Sequence, residues 1–268
     1  MKNKITTIIA LIVLIAILVV LGYGYYKKIT LNVQNPLVTM EVKDYGTIKI
    51  ELYPDKAPNT VKNFITLANN GFYDGLKFHR VVKEFMIQGG DHEGTGSGDA
   101  QLGYLNGNDD KTKYAIEGEF FENGFKQNDL NLTAGVIAMA RGDYTQYSST
   151  LRKQSYNSAG TQFFIMTTDK NTNLSGLYAG FGKVVEGMDV VTKISEVEVT
   201  TANSTEESSS ENTDDSNATK ETPAKDVIIS SVKVETYGIN YPKPKTISPF
   251  NVTKWLYKMY GLEYNEEE

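Results

Sequence analysis

The 268 residues contain no cysteine, which excludes disulfides, cysteine-ligated zinc, thiol nucleophiles and a lipidated N-terminal cysteine. Histidine is almost missing too. His79 and His92 are the only two, too few for a competent metal site, and neither neighbourhood suggests a Ser-His-Asp triad. No metal or other cofactor is expected. Basic residues are outnumbered, 27 against 33 acidic, for a net charge of −6. That balance argues against non-specific binding to nucleic acid.

What is present begins with MKNKITTIIALIVLIAILVVLGYGYYKK. No charge interrupts Ile5 to Tyr26, and Ile8 to Leu21 is continuously apolar. As a helix those residues would reach roughly 33 Å, enough for a bilayer core. Tyr23, Tyr25 and Tyr26 resemble an interfacial aromatic belt ahead of Lys27 and Lys28. We read 1–4 as a short tail, 5–26 as a retained transmembrane signal anchor and 27–35 as a linker, with the following domain on the extracytoplasmic side. The alternative is a cleaved signal peptide and a secreted domain; no A-x-A site follows the run.

A second break lies at 200–226, which has no Val, Leu, Ile, Met or aromatic residue and carries seven acids against two lysines. Such a segment cannot offset its ordering entropy by burial and reads as a disordered acidic insert. Strand character resumes at DVIISSVKVETY (226–237), so the insert lies within a domain spanning 36–236. The extension 237–268 has an amphipathic helical spacing through Val252, Trp255, Leu256, Met259 and Tyr260.

Between these segments the pattern is mostly β. LVTMEV and TIKIELY flank Asp44-Tyr45-Gly46, a hairpin signal. Residues 57–71 read as a helix with Val61, Phe64, Ile65 and Ala68 on one face and Gly71 as its stop. Short strands follow at FHRVV, FMIQGG, GVIAMA, TQFFIMTT and GFGKVV, and GMDVVTKIS reads as a second helix. Many short strands with two helices predict a closed β-barrel with helices covering its ends.

One stretch is chemically odd. In FHRVVKEFMIQGGD (78–91) Arg80 sits among apolar residues, with no acid in the four residues before it. This stretch resembles the signature of the cyclophilins, a class of peptidyl-prolyl cis/trans isomerases. GTGSG (94–98), GVIAMAR (135–141), SAGTQFFI (158–165), LSGLYAGFGKV (174–184) and EGMDVV follow in that family's order. The resemblance implies an eight-stranded antiparallel barrel capped by two helices, and catalysis of rotation about X-Pro bonds. It places Arg80 at the catalytic arginine and Gln88 at the glutamine that orients it. Phe85, Met86, Phe164 and Leu174 match the proline pocket. Tyr178 stands where many relatives have histidine. Ala140 and Arg141 match the segment whose backbone pairs with substrate, and Gly94, Thr95 and Gly96 match a loop bordering the neighbouring subsite. Phe85 and Ile87 are expected on opposite faces of their strand, and so are Phe163 (core) and Phe164 (pocket). His79 reads as structural and His92 as a loop residue. GTGSGD lacks the Lys-Ser/Thr of a phosphate-binding loop.

Three features depart from the family. Asn173 stands where cyclosporin-sensitive members carry tryptophan, so weak cyclosporin binding is expected. The connection 142–157 is longer than usual and should overhang the groove with Tyr144, Tyr147 and Tyr156. The extension 237–268 lies beyond the barrel. The partners implied are proline-containing polypeptides and, through the first helix, a membrane. The functions in view are an isomerase that assists folding of exported proteins and a tethered proline-binding module or chaperone with little turnover.

Overall fold

The hairpin signal becomes two strands in the computed structural model, which describes residues 2–30, 34–200 and 222–264. Along β1 (Leu37–Val42) every second side chain is buried: Val38, Met40 and Val42. β2 (Gly46–Leu52) repeats this with Ile48, Ile50 and Leu52. Asp44 takes φ 67° in the turn between them, a conformation that Asp tolerates better than most side chains.

Helix α2 (Pro58–Asn69) buries Val61, Phe64, Ile65 and Ala68, as their spacing predicts. Its own N-cap residue, Ala57, supplies no side-chain bond. The cap comes from Glu119, whose carboxylate accepts from the Asn59 and Thr60 N–H groups at 2.9 and 2.8 Å and from the Thr60 hydroxyl at 2.8 Å. A carboxylate there satisfies two of the helix's unpaired N–H groups and complements its dipole.

The remaining strands are β3 (Arg80–Val82), β4 (Met86–Gly89), β5 (Val136–Met139), β6 (Phe163–Met166), β7 (Gly180–Glu186), the short pair β8 (Val199–Thr200) and β9 (Thr222–Pro223), and β10 (Ile229–Glu235). Short helices α3 (Leu102–Asn106) and α4 (Arg152–Tyr156) lie in the connections, and α5 (Met188–Ser195) follows β7. Eight strands form one curled antiparallel sheet in the order β10-β1-β2-β7-β5-β6-β4-β3. The expected strand number is present, but the expected closure is not. The sheet is a half-barrel whose edge strands, β3 and β10, do not pair. Only a few main-chain bonds span the gap, such as Phe78 N–H to Val227 O at 3.0 Å and Ile229 N–H to Leu76 O at 2.7 Å. β3 is three residues long, and the run before it, with Gly75 at φ 83°, makes only an isolated bridge, Lys77 with Ile228.

The concave side holds the core. Phe64, Tyr73, Phe163 and Phe181 are buried there with ring centroids 4.9–5.8 Å apart. Val190, Val191 and Ile194 of α5 join the same cluster.

Most of the acidic insert, 201–221, lies outside the described residues. Its flanks, expected to share its disorder, are held. β8 pairs with β9, Ala224 N–H donates to Glu198 O at 2.8 Å, and Asp226 meets Lys77 at 3.1 Å. The extension contains α6 (Val252–Met259), on which Trp255 and Leu256 are half-buried and Met259 is exposed.

The N-terminal residues form a unit of their own. Helix α1 (Lys2–Thr30) runs into the first four residues of the segment expected to be linker. Its described side chains are Ile9 and residues 11–24, all exposed. Among the described residues no helix is long and apolar enough to cross a membrane.

Candidate active site

Register decides which side chains share the outer face of the sheet. Arg80 pairs with Gln88 across β3 and β4, Gln88 with Phe164 across β4 and β6, and Phe164 with Ala138 across β6 and β5. Directly opposed residues project to the same face, so a cation, an amide and a ring stand in one row. The next row holds Val82, Met86 and Met166. Their alternates, Val81, Ile87, Phe163 and Ile165, enter the core. Phe163 and Phe164 therefore divide as expected.

Phe85 and Ile87 also divide, but not through strand alternation. Residues two apart in one strand share a face. Phe85 lies outside β4, in the turn that follows Glu84 at φ 55°, and this turn swings its ring to the outer cluster. Thr167 N–H holds the turn by donating to Phe85 O at 3.0 Å.

Arg80, Phe85, Met86, Gln88, Ala140 and Phe164, with Arg141, Leu174 and Tyr178, line a cavity of about 170 Å³. The Phe164 and Tyr178 rings meet edge to face at 5.4 Å. The Arg80 guanidinium lies 4.0 Å from Met86 Sδ. Among the described residues no carboxylate forms an ion pair with it. The cation lines the cavity beside Met86, on an apolar wall.

Arg141 lines the cavity differently from Arg80. Its guanidinium sits 4.5 Å from the Tyr178 ring centre and 5.1 Å from that of Tyr156, and Nε donates to Leu177 O at 3.2 Å. The side chain braces the cavity wall, and Ala140 N–H donates to Gln162 O at 2.9 Å.

Gln162 was not among the expected site residues, although it stands in the quoted SAGTQFFI. Its Oε1 accepts from Gln88 Nε2 at 2.9 Å, and its own Nε2 donates to Gly96 O at 3.2 Å. It ties Gln88 to the 94–98 loop. In that loop Gly96 lines a second, adjoining cavity, whereas Gly94 and Thr95 line neither. Thr95 instead bonds to Asp91. The Asp91 carboxylate accepts from the N–H groups of Glu93 (3.0 Å), Thr95 (3.0 Å), Gly96 (2.6 Å) and Gly98 (3.3 Å) and shapes the loop. Burial opposes ionisation of Asp91, yet these donors outweigh it and hold its carboxyl below the ordinary value. The paired glycines before it are also accounted for. Gly90 takes φ 85°, and a Cβ there would lie 2.6 Å from Thr161 O.

His79 is buried, and among the described residues neither ring nitrogen makes a hydrogen bond of good geometry, the nearby Gln162 amide included. Burial pushes its pKa down despite the nearby Asp91 carboxylate. It stands outside the cavity lining. His92 lies on the loop side, with its ring 5.3 Å from Tyr104.

Residues 37–234 match the model of the cyclophilin type peptidyl-prolyl cis-trans isomerase/CLD family. This chain belongs to the cyclophilin family. The mouse peptidyl-prolyl cis-trans isomerase-like 1 is 38% identical to this cyclophilin over 166 residues, covering 62% of this chain and 82% of the mouse protein. A peptidyl-prolyl cis-trans isomerase of Acinetobacter baylyi is 38% identical over 171 residues, 62% of this chain and 76% of its own. A Rhizopus delemar isomerase-like 2 protein is 37% identical over 175 residues, which span only 27% of its length. The fold matches a cyclophilin type isomerase of Cryptosporidium parvum, crystallised in the presence of the dipeptide Ala-Pro, with a TM-score of 0.53 and 24% identity over 74% of this chain and 98% of that one. The activity that goes with the family is peptidyl-prolyl cis-trans isomerisation.

Proposed function

We propose that Arg80 is the catalytic residue of this isomerase and that the cavity around it seats the substrate proline. The absence of an ion-pair partner for Arg80 among the described residues carries this reading. Rotation about an X-Pro bond is opposed by about 18–20 kcal/mol of amide resonance. Halfway through rotation the prolyl nitrogen loses conjugation and gains a lone pair. A guanidinium aimed there donates a hydrogen bond that the planar ground state accepts poorly. Such a bond lowers the barrier instead of merely tightening binding. Phe85, Met86, Phe164 and Leu174 would hold the ring still. Gln88, fixed by Gln162, would face the carbonyl that swings. No proton moves and no covalent intermediate forms.

The substrates in this reading are proline-containing segments of exported polypeptides, met outside the membrane. The uncharged run Ile5–Tyr26, roughly 33 Å as a helix, supports a retained anchor on the sequence alone. Asn173, an exposed amide beside Leu174, supports weak binding of cyclosporin.

The test is exchange NMR on a short Ala-Pro peptide with the full-length chain in detergent. Fast exchange that falls on the order of a hundredfold or more in Arg80→Ala is the expected result. Peptide binding without accelerated exchange in the parent would replace the enzyme with a proline-binding module.

A further inference from the structure

We propose that the cleft between α6 and the 142–157 connection docks acidic segments of the polypeptides on which this isomerase acts, away from the proline cavity. The proposal rests on the isomerase reading and adds a remote contact to it.

The cleft has a volume of about 720 Å³. One wall is α4 with Asn157, and the other is the C-terminal strap 241–251 with α6. The family model ends at residue 234, so the strap and α6 lie beyond it.

The strap is tied to the domain at several points. Lys243 Nζ donates to Asn106 Oδ1 at 2.8 Å. Lys245 N–H donates to Asn59 Oδ1 at 2.7 Å, and Asn59 Nδ2 donates back to Lys245 O at 2.9 Å. Ile247 and Ala115 exchange main-chain bonds of 2.8 and 2.9 Å. Pro242, Pro244 and Pro249 lower the entropy lost on holding the segment in place. Phe250 then packs on Tyr144 of the connection with ring centres 5.3 Å apart. Asn251 starts α6, its Oδ1 accepting from Lys254 N–H at 2.8 Å.

The lining pairs an apolar floor with basic groups. Ile247, Pro249, Phe250 and Trp255 are half-buried in it. Lys153, Lys254 and Lys258 line it as well, all exposed. Lys254 and Lys258 stand four apart and so share a face of α6. Among the described residues no carboxylate lines the cleft, and neither Lys153 nor Lys258 forms an ion pair. In a chain of net charge −6 this is a local reversal of sign. An acidic segment with an apolar side chain complements both features: its carboxylates meet the ammonium groups while the side chain covers Trp255 and Phe250. An anionic bilayer fits less well, because the apolar residues line a concavity and the exposed Glu263 follows α6 closely.

Pro249 joins the cleft to the active groove. It lines the cleft and also the cavity that shares Gln88, Ala140 and Arg141 with the proline cavity. One extended polypeptide, advancing about 3.3 Å per residue, can therefore run from a seated proline past Pro249 into the cleft. Docking there raises the local concentration of the X-Pro bond at Arg80 without touching the bond that rotates.

Trp255 is the only tryptophan, so its emission reports on the cleft directly. The full-length chain in non-ionic detergent is titrated with a capped glutamate-rich peptide that has one phenylalanine and no proline. A saturable emission shift is expected, weakened on the order of tenfold between about 0.05 and 0.5 M salt. The same peptide with lysine for glutamate should give none. The double variant Lys153→Glu, Lys258→Glu should weaken binding on the order of tenfold or more. Joined by a flexible linker to an Ala-Pro substrate, the acidic peptide should lower KM about three- to tenfold with kcat unchanged in the parent, and not in the double variant. No emission shift, or an equal one in the double variant, overturns the proposal. So does a shift produced only by phosphatidylglycerol in the micelles, which would make the cleft a lipid contact. A response that appears only in a chain ending at residue 264 would make residues 265–268 the occupant and overturns it too. An intact emission response with no isomerisation of any peptide would overturn the isomerase reading and leave an acidic-segment binding site.

Discussion

Arg80 lies directly opposite Gln88 across the β3–β4 ladder, so cation and amide project from the same face of the sheet. Gln88 is in turn fixed by its 2.9 Å bond to Gln162. Gln88→Ala should lower kcat/KM on an Ala-Pro peptide on the order of tenfold, because a misplaced carbonyl loses the near-attack geometry. Gln162→Ala should give a smaller loss, since it acts only through Gln88 and the loop. Exchange NMR and a thermal melt would separate this from unfolding.

Asp91 should make stability sensitive to acid. Its folded carboxyl titrates below 3.8, so the unfolded chain takes up its proton first as pH falls. The stabilisation is present above the unfolded value and is lost as pH falls through the lower folded one. Urea melts from pH 6 to 3 should show a steeper loss below about pH 4 in the parent than in Asp91→Asn.

His79 acts at higher pH and through the opposite charge. Its folded pKa lies below 6.5, chiefly because burial disfavours the imidazolium. The unfolded chain therefore binds the proton first, and stability declines as pH falls from about 6.5 towards the folded value. His79→Leu should flatten the stability profile between about pH 6.5 and 5. An unchanged profile would mean that His79 binds its proton equally well in the folded and the unfolded chain.

Glu119→Ala should cost about 1–2 kcal/mol, the usual worth of a cap, since α2 has no N-cap side chain of its own. Denaturant midpoints with an unchanged m-value would check it. Glu119→Gln should cost less, keeping one acceptor but not the charge at the helix N-terminus.

An anchor at α1 predicts that the full-length chain floats with liposomes while a chain beginning at residue 29 stays in the aqueous phase. Flotation of both, or of neither, would count against the tether.

Much of this cyclophilin was determined by sequence alone. Alternation along β1 and β2 and the helical face of α2 are properties of neighbouring residues, and the buried sets follow from them. The nine residues that line the cavity beside Arg80 all stand in motifs quoted from the sequence, because each motif is local. What only the tertiary structure decided depends on residues far apart in the chain. Glu119 caps a helix sixty residues away. Phe85 reaches the pocket through a left-handed turn that alternation does not encode. Gln162 joins the site through a bond to Gln88, 74 residues distant. The sheet stays open, with β3 and β10 as edges and only an isolated Lys77–Ile228 bridge between their approaches. The strap reaches the groove through a contact between Asn59 and Lys245, 186 positions apart. Residue periodicity carries information only over a few turns or a strand; which distant groups meet is set by how the packed elements fill space.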